Sequence, residues 1–399
     1  IYSIPKKGFY VADLRELNLT KTHSVGPDNA LLSIKEKVPY LADFTSNQTD
    51  SEIFPFTIWA RTMRELLNEN QQQLMENPPC GGIMALRQAI ADYLHAFRGM
   101  VVNPEQIIVG AGTEYLYGLL IQLLGDDKIY GIENPGYPKI AKIYDSMHVS
   151  YSAIDLDKHG VCIDSLENHQ IDIMHLSPSH HFPTGIITPI SRRYELLGWA
   201  SKDENRYIIE DDYDSEFRFS GKPIPTMVGM DSTRVIYMNT FSKTLAPSIR
   251  IAYMVLPDEL MDLYHKKLGF YSGTVSGFEQ YTLANFISKG YYERHINRMR
   301  NYYREYRNKI IGAIKQSDIY EKVTIEEENA GLHFILGIKK DIDDESFKAV
   351  LRENNINISG VSDYCYNKLE EFNHKFIINY SAVSEDKLKK ALDIMNKAL

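Results

Sequence analysis

Residues 234–250, RVIYMNTFSKTLAPSIR, run from a short apolar stretch into a segment that sets one lysine among hydroxyls. The stretch around Val235–Asn239 reads as a buried strand. Lys243 therefore falls just past a strand end, with Thr240, Ser242 and Arg250 close by in sequence. A surface lysine needs no such setting. A lysine that attacks a carbonyl does, because it must spend time neutral, and that requires desolvation or a cationic neighbour.

The same rhythm extends outward. From Gln106 to about Pro257 the short runs QIIVG, KIYGI, DIMHLS, RYIIE and RVIYMN alternate with longer stretches of helical period. This predicts the α/β class: a mainly parallel sheet covered by helices on both faces. Ligands of such sheets gather at the carboxyl ends of the strands. Upstream, IWARTMRELLNENQQQLM and IMALRQAIADYLHAF read as helices on either side of the NPPCGG breaker. Downstream, the helical stretch GYYERHINRMRNYYREYRNKIIGAI leads to a smaller α+β tail, with strands in GLHFILGI and KFIINYS and a last helix in SEDKLKKALDIMNKAL. The opening IYSIPKKGFYVADL reads as a hairpin without a core of its own, resembling the cut end of something larger. A polar linker, roughly residues 13–40, follows it.

Bulk composition narrows the function classes. At 399 residues the chain is expected to form two domains, or one large domain with a satellite, and 44% hydrophobic and 24% charged residues are the make-up of an ordinary soluble protein. A net charge of −9 makes the chain by itself a poor binder of nucleic acid. No apolar stretch is long enough to span a bilayer, and no leader pattern is present, so a cytoplasmic protein is expected. Cys80, Cys162 and Cys365 suit neither a disulfide framework nor a zinc site, and read as reduced thiols.

Other strand ends carry chemistry of their own. The turn Gly110-Ala111-Gly112-Thr113 leads at once into a helix, whose N–H groups suit an anion. Tyr115 replaces the third glycine of a dinucleotide fingerprint, so a single phosphate is the better fit. In RYIIEDDYDSEF the acids Asp211, Asp212 and Asp214 admit a magnesium or calcium site, or caps for the next turn. Alternatively Asp211 holds a heterocyclic nitrogen protonated while Tyr213 donates to a phenolate oxygen on the same side. Tyr137, in a Gly-flanked turn, offers a ring for stacking or is simply one of 27 tyrosines. SPSHHFPTG is a further strand-end turn, shaped by Pro183 and Gly185. Together these parts match pyridoxal 5′-phosphate: a lysine for the aldehyde, a carboxylate for the ring nitrogen, and hydroxyls, helix N–H groups and an arginine for the phosphate.

The stretches IIEDDYDSEFRF, SHHFPTG, TFSKTLAPSIRIAYMVLP and ERHINRMRNYYREYR resemble the aminotransferase-like domain of the MocR subfamily of GntR transcription regulators. The resemblance runs from about residue 50 to the C-terminus. It implies a fold-type I aminotransferase-like fold, with a large cofactor-binding domain at 41–290 and a small C-terminal domain at 291–399. IPKKGFYV is similar to the wing of a winged helix-turn-helix, which would make 1–12 a remnant of a DNA-binding domain preceding this chain. By motif, Lys243 becomes the internal aldimine lysine, Asp211 the partner of the pyridine nitrogen and Tyr213 that of the phenolate oxygen. Tyr137 would stack on the ring, and Gly112, Thr113, Thr240 and Arg250 would hold the phosphate. A homodimer is implied as well.

Three positions depart from that pattern. Ala382 stands where aminotransferases carry a carboxylate-clamping arginine, and Lys139 where a GABA-responsive relative has a second one. Glu114 stands where the resembled family more often has glutamine, and because its charge near a phosphate would be unfavourable it is expected to point away. Without the clamp, the resemblance implies a sensor of pyridoxal 5′-phosphate itself, controlling vitamin B6 synthesis, rather than a productive transaminase. The alternatives are a regulator sensing an amino acid or dipeptide through the cofactor, and a genuine fold-type I aminotransferase.

Overall fold

The computed structural model describes residues 2–11, 40–46, 50–69, 71–219, 224–329, 331–367, 369–381 and 383–399. The expected linker, apart from residue 40, and Ala382 lie outside them. The chain divides into two units, Ile1–Pro39 and Tyr40–Leu399. In the first, β1 (Tyr2–Ile4) and β2 (Gly8–Tyr10) form an antiparallel hairpin with Ser3 opposite Phe9.

The second unit opens with β3 (Ala42–Asp43) and is built around an eight-stranded sheet. Its strands are β4 (Ile107–Gly110), β5 (Tyr130–Asn134), β6 (Tyr151–Asp157), β7 (Gly160–Val161), β8 (Ile173–Leu176), β9 (Tyr207–Asp211), β10 (Val235–Thr240) and β11 (Ala252–Val255). They lie in the order β4-β11-β10-β9-β8-β5-β6-β7. β11 is antiparallel to both neighbours and β7 to β6, while the other adjacent strands pair parallel. The sheet is thus mainly parallel, as the alternating runs predict. Every residue of β4, β8, β9, β10 and β11 is buried, which is why these strands read as continuous apolar runs. Alternate side chains serve opposite faces. Val235 and Tyr237 pack with Ile107 and Val109 on one side, and Ile236 and Met238 pack with Ile108 and Met254 on the other.

The smaller core lies around β12 (Val323–Glu326), β13 (His333–Ile338), β14 (Ile356–Asn357), β15 (Ser359–Gly360) and β16 (Lys375–Asn379). Four of these form an antiparallel sheet in the order β12-β13-β16-β15. β14 instead pairs parallel with β3, so Ala42 and Phe44 pack in the smaller core although they precede the large sheet in sequence. Helix Tyr291–Lys315 joins the two cores: Tyr292 and Ile296 pack in the large one, and Met299, Tyr303, Ile310 and Ile314 in the small one. Among the described residues no helix is long and apolar enough to cross a membrane.

Candidate functional site

The carboxyl ends of β5, β8, β9 and β10 open into one cavity of about 490 Å³. That volume is in the range of small-molecule sites. Lys243, Asp211, Tyr213, Tyr137, Thr113, Thr240 and Arg250 all line it, although they come from separate strand ends. Gly112 does not line the cavity but seats Arg250. Gly112 has φ 91°, and a Cβ there would fall 2.5 Å from Arg250 Nη2, so only glycine lets the guanidinium lie against the turn. Arg250 itself is held in the left-handed region at φ 50°.

Lys243 is half-buried in the turn after β10. Burial pushes its ammonium down to about 8, against the opposing pull of Asp214. The neutral amine is therefore easier to reach here than in an ordinary lysine. Asp211, the last residue of β9, is buried. Its Oδ2 accepts a hydrogen bond from Tyr117 Oη at 2.5 Å and lies 3.7 Å from His175 Nε2. Its Oδ1 is buried and has no partner. Such an atom is costly unless something donates to it. Burial, reinforced by Asp214, pushes the Tyr213 phenol well above its ordinary range, so it remains a hydrogen-bond donor.

Helix Thr113–Leu124 begins at Gly112 with no side-chain cap, leaving first-turn N–H groups beside Arg250. Thr240 is buried; its hydroxyl donates to the Ile251 carbonyl at 3.3 Å and accepts from the Ser242 N–H at 3.2 Å. Tyr137 stands at the start of helix Pro138–Ser146 and meets Phe182 edge-on, with centroids 6.0 Å apart.

The expectation that Glu114 points away is overturned. Its carboxylate lines the cavity and bridges two cations, with Oε2 2.5 Å from Arg250 Nη2 and Oε1 2.6 Å from Lys139 Nζ. Two cationic neighbours outweigh the cost of placing the carboxylate there, and the Lys139 bond, with both cations, holds it below the usual carboxylate range.

The metal reading loses its geometry. Asp212 turns to Arg98 at 2.8 Å and to the Tyr237 hydroxyl at 2.7 Å, Asp214 pairs with His180 at 2.8 Å, and Asp211 faces Tyr117. Among the described residues no three His, Cys, Asp or Glu side chains converge as metal ligands do.

Several lining residues were not anticipated. Tyr117 follows Thr113 by four positions, and that helical spacing was a usable signal. Phe182, edge-on to Tyr364 at 5.1 Å, and Tyr366 form an aromatic wall partly supplied by the smaller core. Glu133, whose carboxyl burial drives well above its usual range, accepts the Ser177 N–H at 3.0 Å on the cavity floor.

Residues 41–395 match the family model described as Aminotransferase class I and II. The chain is 41% identical over 297 residues to an uncharacterized HTH-type transcriptional regulator, YdeL of Bacillus subtilis, covering 74% of this chain and 64% of that protein. It is 30% identical over 363 residues to the probable rhizopine catabolism regulatory protein MocR of Rhizobium meliloti, covering 90% of this chain and 73% of that one. Among solved structures, an archaeal alanine:glyoxylate aminotransferase superposes with a TM-score of 0.78 at 21% identity, covering 90% and 91% of the two chains. Its fold is therefore that of the fold-type I aminotransferases, and by its relatives the chain belongs to the MocR subfamily of GntR transcription regulators, through their aminotransferase class I and II domain.

Proposed function

We propose that this domain binds pyridoxal 5′-phosphate through Lys243 and reports its occupancy to winged-helix DNA-binding domains of a homodimeric regulator. One observation carries the reading. A lysine pushed down to about 8 shares a cavity with a buried carboxylate oxygen, Asp211 Oδ1, that has no partner. Bound there, the cofactor supplies an aldehyde that captures amines and a protonated pyridine ring that withdraws electrons. Lys243 provides the neutral amine, and Asp211 Oδ1 keeps the ring nitrogen's proton in place. Tyr213 donates from its phenol, and Tyr137 offers a ring face. Thr113, the N–H groups of its helix, Thr240 and Arg250 receive the phosphate, and Gly112 makes room for the Arg250 guanidinium.

The cations among the described lining residues are Lys139, Lys243 and Arg250, and two of them share Glu114. None is left over to clamp a second ligand's carboxylate. The proposed effector is therefore the cofactor itself, and control of vitamin B6 synthesis is the finer form of the reading. A productive transaminase fixes its substrate's carboxylate, because orientation supplies much of the rate. The test is a titration of cofactor-free protein, read by visible absorbance, beside a turnover assay with amino acids and 2-oxo acids. The reading expects a yellow protein, no colour in Lys243→Ala, and no sustained exchange. Multi-turnover exchange at ordinary enzyme rates overturns it in favour of an aminotransferase.

A further inference from the structure

We propose that Glu114 is a built-in competitor for the cofactor's phosphate, which loosens binding so that occupancy follows cofactor concentration. The proposal deepens the reading above and rests on it. Three features of the cavity wall support it. First, Arg250, whose guanidinium lies against Gly112 at the helix start, is engaged by Glu114 Oε2 at 2.5 Å. Second, Gly112 is the residue at which the helix begins, so carboxylate and incoming phosphate meet the same cation at the same place. Third, Glu114 occupies the first turn of helix Thr113–Leu124, where a carboxylate draws on the same helix-end potential that an incoming phosphate would use.

A phosphate arriving at this turn must share Arg250 with a carboxylate already bound to it, and must sit beside a like charge. Both effects weaken phosphate binding. Lys139 makes the exchange reversible. It holds the other carboxylate oxygen at 2.6 Å, so Glu114 keeps one cation when Arg250 turns to the phosphate and is poised to reclaim it. Glu114, Arg250 and Lys139 are all partly exposed, so replacing Glu114 leaves no buried charge unpaired.

The experiment measures equilibrium dissociation constants for pyridoxal 5′-phosphate and for pyridoxal, which lacks the phosphate, by absorbance titration of cofactor-free wild type, Glu114→Gln and Glu114→Ala. Both variants should bind the phosphorylated aldehyde roughly tenfold more tightly than wild type, with pyridoxal unchanged. Inorganic phosphate should also compete more strongly in the variants. Unchanged or weaker binding of the phosphorylated aldehyde in both variants overturns the proposal, as does an equal gain for pyridoxal. If none of the proteins develops a visible band with either aldehyde, the cofactor reading itself falls and the proposal goes with it.

Discussion

The Tyr117 phenol donates to one oxygen of Asp211, at 2.5 Å, and leaves the other buried oxygen without a partner. One half of the carboxylate is thus anchored by the protein, and the other half is the one assigned to the proposed cofactor. Asp211→Asn retains the shape but cannot hold a ring nitrogen's proton, so cofactor affinity should fall tenfold or more (~1.4 kcal/mol or more), read by absorbance titration. Tyr117→Phe removes the anchor and should cost about 1–3 kcal/mol of stability in urea unfolding.

Lys243 gives a prediction with a definite sign. Its folded value of about 8 lies below the ordinary lysine range, so between pH 8 and ~10.4 the unfolded chain binds more protons than the folded one. Stability contributed by this group therefore rises with pH across that window, and at neutral pH the buried ammonium is a burden. Cofactor-free Lys243→Met should be more stable than wild type at pH 7 by about 1–3 kcal/mol, with the gain shrinking towards pH 10. Equal stability of the two proteins at pH 7 would mean that the lysine is well solvated.

Arg193 is wholly buried. It pairs with Glu210 at 3.3 Å and donates to the Thr188, Pro178 and Pro225 carbonyls. Arg193→Ala strands a buried carboxylate whose value is already raised by burial. The loss should be about 3–5 kcal/mol in chemical unfolding. The lining of the cavity does not include this arginine, so protein that does fold should still turn yellow with the cofactor.

How much of this was legible in the sequence varied with how local the cause was. Lys243, Asp211 and Tyr213 could be placed on one cavity because each ends or follows a strand buried on both faces, and such strands read as unbroken apolar runs. β6 was missed because YSAIDLD keeps exposed and half-buried positions and lacks that run. β11 was missed because its residues follow the lysine turn closely and read as part of the same motif. Glu114 was misjudged because its like-charge cost is visible locally, whereas its partners Lys139 and Arg250 stand 25 and 136 positions away. Tyr364 and Tyr366 reach the cavity from the smaller core, a long-range contact that no periodicity encodes.

Reductive trapping tests the central claim most directly. The protein is mixed with pyridoxal 5′-phosphate, treated with borohydride, digested and analysed by mass spectrometry. The account predicts one dominant phosphopyridoxyl adduct, on Lys243, which disappears in Lys243→Ala. An unmodified Lys243 with label scattered over surface lysines would contradict it.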